Sequence, residues 1–151
     1  MLNRLQDVFA SFQKHEVRYI VIGGIAAVLH GVPRATFDLD ILIEASNDNA
    51  SRLLAALMEA NLGSAALITA EELLANEITV FKDRVRIDVQ TSTPGLIFDD
   101  GWKNRITMSF EGQEFYVASK SDLISSKRAA GREQDLEDVR MLTIDQEVRD
   151  F

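Results

Sequence analysis

The chain has 151 residues, 46% of them hydrophobic, enough to bury one sizeable core and too few for two. It contains no cysteine, so a disulfide framework and a thiolate zinc site are both excluded. A formal charge of -8 argues against broad, non-specific adhesion to nucleic acid, because displacing the counterions of a polyanion takes a surface rich in Lys and Arg.

Leu2, Leu5, Val8, Phe9 and Phe12 recur every three or four residues and predict an amphipathic first helix ending near His15 and Glu16. Charged residues interrupt this segment as they would not in a leader peptide, and no stretch is long enough to span a bilayer. The expectation is a soluble, cytoplasmic, single-domain protein with no membrane partner. Residues 18–22 are β-branched and aromatic and predict a strand that stops at Gly23 and Gly24. Residues 25–30 then read as a short helix closed by Gly31 and Pro33.

The next strand is expected over 37–44. Its alternation assigns Phe37, Leu39, Ile41 and Ile43 to one face, with Asp38 and Asp40 on the other. A helix over 47–60, capped by Ser46 or Asn47, and a short helical piece over 69–75 follow. Strands over 78–81 and 85–90 flank a tight turn at 82–84, and the second buries Val85, Ile87 and Val89 while aiming Arg86, Asp88 and Gln90 the other way. Residues 91–101 read as a loop, with Trp102 as a core anchor just beyond it. A hairpin over 106–110 and 114–118 leads to helices over 119–130 and 132–142, broken at Gly131. The basic residues Lys82, Arg84, Arg86, Lys103 and Arg105, and the later group Lys120, Lys127, Arg128 and Arg132, read as solvated faces on charge patterning alone.

Two carboxylates at i and i+2 on a strand share a side of the sheet and can bridge hard cations, which prefer oxygen ligands. Asp38 and Asp40 have that spacing, and Asp88 on a neighbouring strand would complete a site for two ions, an arrangement suited to phosphoryl transfer. The Gly23-Gly24 turn suits close approach of backbone to phosphate, and equally suits a turn that needs glycine for conformation. His15 and His30 are not paired as ligands or as an acid–base couple.

The run from Val21 to Gly31 (VIGGIAAVLHG), followed by Arg34-Ala35-Thr36-Phe37-Asp38-Leu39-Asp40, resembles the signature of the nucleotidyltransferase superfamily typified by DNA polymerase β. More narrowly it is similar to the branch holding AbiE-type toxins, a likeness extended by Lys120, Lys127-Arg128-Ala129-Ala130-Gly131-Arg132 and Asp135-Leu136-Glu137-Asp138. The resemblance covers about residues 17–142. It implies an α/β nucleotidyltransferase fold: a mixed sheet of about five strands, helices on one face, an open carboxylate face on the other, and helices at the C-terminus.

It also implies transfer of a nucleoside monophosphate from a triphosphate to an acceptor, with two Mg2+ ions (or Mn2+) and loss of pyrophosphate. On that basis Asp38, Asp40 and Asp88 hold metal, and Asp88 helps deprotonate the acceptor. Gly23 and Gly24 cradle the triphosphate, and Arg34 and Thr36 contact phosphate or brace their loop. Lys127 binds phosphate, and Asp135 is the late aspartate, a place for which Asp138 competes from the same helical face. A serine common in relatives at the second glycine is absent here. The acceptor stays open between tRNA or other RNA, protein and a small molecule. Two other readings accompany the enzyme: a degenerate nucleotide-binding module working through a partner such as a cognate antitoxin, and an antibiotic-modifying transferase whose acidic surface suits a cationic drug.

Overall fold

The computed structural model describes residues 2–149, and side chains through residue 144. The elements run α1 (Gln6–Lys14), β1 (Tyr19–Ile22), α2 (Gly23–Leu29), β2 (Leu39–Ile43), α3 (Asn47–Glu59), α4 (Ala70–Ala75), β3 (Ile78–Lys82), β4 (Arg86–Gln90), α5 (Phe98–Asn104), β5 (Ile106–Phe110), β6 (Gln113–Val117), α6 (Lys120–Ala130) and α7 (Glu133–Arg149). All six strands form one mixed sheet in the order β3-β4-β2-β1-β6-β5. The expectation of about five strands is therefore corrected to six, because both hairpins join the same sheet, one at each edge.

Alternation decides what each face carries. Leu39, Ile41, Ile43, Ile87, Val89, Tyr19 and Val21 point into the main core, where α1 and α3 cover them. Phe9 stacks on Phe115 at 4.5 Å, and Phe12 lies 4.8 Å from Tyr19, so one turn of α1 supplies the aromatic centre of this layer. Asn49 fixes the layer to the sheet. Wholly buried on α3, it accepts from the Arg18 N–H at 2.8 Å and donates to the carbonyls of Arg18 (3.0 Å) and Glu44 (2.9 Å). Its amide thus bonds backbone groups just before β1 and just past the end of β2, tying α3 to both strands.

The opposite face departs from expectation. It is not open along its length, because α5 begins inside the segment read as a loop and seals a second cluster of Ile20, Ile22, Leu42, Leu96, Phe98 and Ala118. Trp102 packs against this cluster, 5.6 Å from the Phe98 ring, with the Arg105 guanidinium 3.7 Å over its face; the anchor reading holds. The part of the face bearing Asp40 and Asp88 stays uncovered, as does the adjoining edge strand β3, where Ile78 and Val80 are exposed. Phe37, placed by alternation on the face of Leu39, Ile41 and Ile43, is 76% exposed, since β2 begins two residues later at Leu39 and the alternation does not reach back to it. The last helix runs to Arg149 rather than stopping near Leu142. Among the described residues, no helix is long and apolar enough to cross a membrane.

Candidate active site

Strand pairing places the acids. β2 and β4 run parallel with Asp40 opposite Asp88, and β1 runs antiparallel to β2 with Ile22 opposite Asp40. Neighbouring strands lie about 4.8 Å apart, so the two carboxyls project side by side, directly in front of the turn where β1 becomes α2. Asp38 sits just before β2, half exposed, at the rim. A cavity of about 790 Å3 opens here, lined by Gly23, Asp38, Asp40, Asp88, Lys127 and Asp135, with Arg86 and Arg132 at its walls.

Burial, reinforced by crowding of like charge, controls protonation. Burial, then the Asp88 and Asp38 charges and a hydrogen bond with Asp88, push the Asp40 carboxyl up to about 7, with Lys127 opposing weakly. Two carboxyls sharing a hydrogen bond need a proton between them, and the pair holds one below about pH 7. Arg86 supplies the rest of the compensation. Its Nε and Nη2 donate to the two Asp88 oxygens at 2.9 and 3.3 Å, and the same Nε lies 3.7 Å from Asp38 Oδ2. Among the described residues, no three acidic or histidine side chains are grouped to hold a metal ion outright. The Arg86 guanidinium joins Asp38 to Asp88. The donor set itself is oxygen-only and suits a hard divalent ion once the Asp40 proton and the Arg86 fork leave it.

The diglycine has a structural cause. Gly23 has φ +71°, and a Cβ there would run into the Asp40 carboxylate, lying 2.8 Å from its Cγ. A Cβ on Gly24 would lie 2.9 Å from Thr36 Oγ1 and 3.0 Å from an Arg34 guanidinium nitrogen. Both glycines therefore let neighbouring side chains press against the backbone, and a serine at position 24 would have to displace Thr36 and Arg34.

Behind this wall lies a buried ionic cluster. Asp138, wholly buried on α7, accepts from Arg34 Nε (3.0 Å) and Nη2 (2.9 Å), from Lys127 Nζ (2.8 Å) and from Gln134 (3.1 Å). Burial alone would raise this carboxyl; the bonds from Arg34 and Lys127 more than offset that and hold it below its ordinary pKa. Asp135 lies 3.7 Å from Lys127 and is engaged by Arg132 at 2.7 Å. The structure thus brings Lys127, Asp135 and Asp138 together and makes Asp138 the nearer partner of the lysine. Arg34 is clamped to Asp138 and Thr36 abuts Gly24, so neither extends freely into the cavity.

Residues 2–149 match the family model described as a nucleotidyltransferase of unknown function, DUF6036. The chain belongs to that family. A Thermotoga maritima protein provisionally assigned as a nucleotidyltransferase, solved by crystallography, superposes with a TM-score of 0.61 at 15% identity, covering 95% of this chain and 92% of that one. At that identity the likeness is one of fold. Among curated proteins, none matches the chain.

Membership of a nucleotidyltransferase family and the shared fold agree with the α/β expectation drawn from the Gly-Gly and Asp-x-Asp runs. Sequence reading missed the part played by Arg86, although the alternation that aimed Asp88 at the site aimed Arg86 there as well. A steric prediction follows from the turn. Gly23→Ala, strained at positive φ and pressed against Asp40, should lower the unfolding free energy by about 1–3 kcal/mol. Gly63→Ala, where an added Cβ meets nothing within 4 Å, serves as the control in urea titrations and should leave the midpoint nearly in place.

Proposed function

We propose that the protein transfers a nucleoside monophosphate from a nucleoside triphosphate to an acceptor hydroxyl, dependent on divalent metal, with Mg2+ as the resident ion. The observation that carries this reading is the parallel register that sets Asp40 beside Asp88 on the wall of a large cavity faced by Gly23 and Lys127. Asp40, Asp88 and Asp38 would hold the metal, which when bound neutralises charge on the transferring phosphoryl group. The chain's own residues do the rest. Gly23 leaves bare backbone where the triphosphate lies, and Asp138 fixes Lys127 so that its charge stays at the cavity wall. Asp88, freed of Arg86, takes the hydroxyl proton of the acceptor. Positioning and electrostatics account for the catalysis, as expected for phosphoryl chemistry.

The test distinguishes nucleotidyl from phosphoryl transfer. Incubated with Mg2+, cell extract and triphosphates labelled at either end, the protein should move label from the α-phosphate to an acceptor and none from the γ-phosphate. Transfer of γ label would contradict the reading. An α-labelled product formed equally by Asp40→Asn would also contradict it, since the chemistry would then lie elsewhere.

A further inference from the structure

We propose that Arg86 is an exchange residue: it occupies Asp38 and Asp88 in the empty site and transfers its guanidinium to the triphosphate when cation and nucleotide enter. The inference rests on the nucleotide-binding reading above and gives Arg86 a ligand role which that reading does not assign.

Three cationic side chains line the cavity, and their present partners separate them. Lys127 is held by Asp138, a carboxylate buried outside the cavity lining, and Arg132 is held by Asp135 at the far wall. Arg86 is held by Asp88 and Asp38, two of the acids that a divalent ion would take. Of these cations it alone loses its partners when those acids turn to a metal. Its guanidinium would then stand beside a like charge, and repulsion drives it off the carboxylates.

What it can reach next is set by the strand. Arg86 precedes Asp88 by two residues on β4, so its backbone stays fixed on the cavity side while the side chain, 39% exposed, is free to swing. The planar fork that grips Asp88 through Nε and Nη2 matches two phosphate oxygens as well as two carboxylate oxygens. A triphosphate entering with its ion brings that acceptor into the same cavity. The anion that replaces Asp88 is therefore a phosphate of the bound nucleotide, and one side chain serves as counter-ion in the empty site and as ligand in the filled one.

The exchange predicts effects of opposite sign. Mn2+ alone, and Mn2+ with each α,β-methylene nucleoside triphosphate in turn, are titrated into the native chain, Arg86→Gln and Arg86→Lys, after circular dichroism has shown all three folded. Arg86→Gln should bind Mn2+ alone about 10-fold more tightly, because its competitor is gone. It should bind the nucleotide complex about 10-fold more weakly, with Arg86→Lys recovering part of that loss. Tighter binding of both would make Arg86 a counter-ion only and overturn the exchange, and unchanged binding of both, in a folded variant, would overturn it too. Native protein that binds none of the nucleotides would overturn the underlying reading, a result distinct from native binding that is indifferent to Arg86.

Discussion

Asp138→Asn is expected to lower the unfolding free energy by about 3–5 kcal/mol, the range for removing one member of a buried ionic cluster. The carboxylate is wholly buried and compensates two cations, Arg34 from the segment before β2 and Lys127 from α6. An amide keeps the shape and loses the charge, leaving Lys127, 5% exposed, with only Asp135 at 3.7 Å. Thermal melts should show a drop of roughly 10 °C for a chain of this size. Glu137→Gln is the matched control on the same helix; its pair with Arg140 is exposed, and its loss should leave the midpoint in place. The pH dependence has a definite sign. The Asp138 pKa is depressed in the folded state, so its contribution is present above the unfolded value near 4 and is lost as pH falls through the folded one. A variant that melts with the native chain at pH 7 would show that Asp138 is not the tie between α7 and the Arg34 segment.

Asp40→Asn should act in the opposite direction on stability while disabling the site. The Asp40 pKa is raised from 3.8 to about 7 in the folded chain. Between those values the folded state holds a proton that the unfolded state has released, so stability falls as pH rises from about 4 to about 7. Substitution by the uncharged amide removes that loss. Above pH 7, in the presence of a chelator, the variant should be more stable than the native chain by about 2 kcal/mol, after allowance for solvent at the cavity wall. The native curve should slope between pH 4 and 7 where the variant's is flatter; matching slopes would show that the proton is not held at Asp40. Transfer activity should fall about 1,000-fold, some 4 kcal/mol of lost transition-state stabilisation. Stability gained by deleting a charge, at the expense of function, is what a site built from crowded carboxylates entails.

The acids themselves were legible in the sequence because strand alternation is a local property. Ile87 and Val89 fix the direction of Asp88, and Leu39 and Ile41 fix that of Asp40. Local alternation says nothing about which strands pair, and it is the parallel register of β2 with β4 that turns two outward acids into one site. The same limit hides how Asp135 and Asp138 divide their contacts. Both fall on one face of α7, and only the fold shows that Asp138 lies nearer Lys127 and bonds Arg34, 104 residues away, while Asp135 lines the cavity. Phe37 shows the reverse failure, where alternation was extended past the true start of the strand. Residues 98–104 form a helix that covers part of the sheet because Phe98 and Trp102 have an apolar surface to rest on, a tertiary fact that Pro94, Gly95 and Gly101 obscured. Arg86 was visible as a basic residue and not as a ligand of the acids, because its significance depends on the charges around it.

The most direct test of the central claim is a calorimetric titration of nucleoside triphosphates into the native chain, Asp40→Asn and Asp88→Asn, each with Mg2+ and with chelator. The account predicts binding to the native chain that requires Mg2+ and is lost in both folded variants. Binding that persists with chelator or in both variants would contradict it, as would a native chain that binds no triphosphate at all.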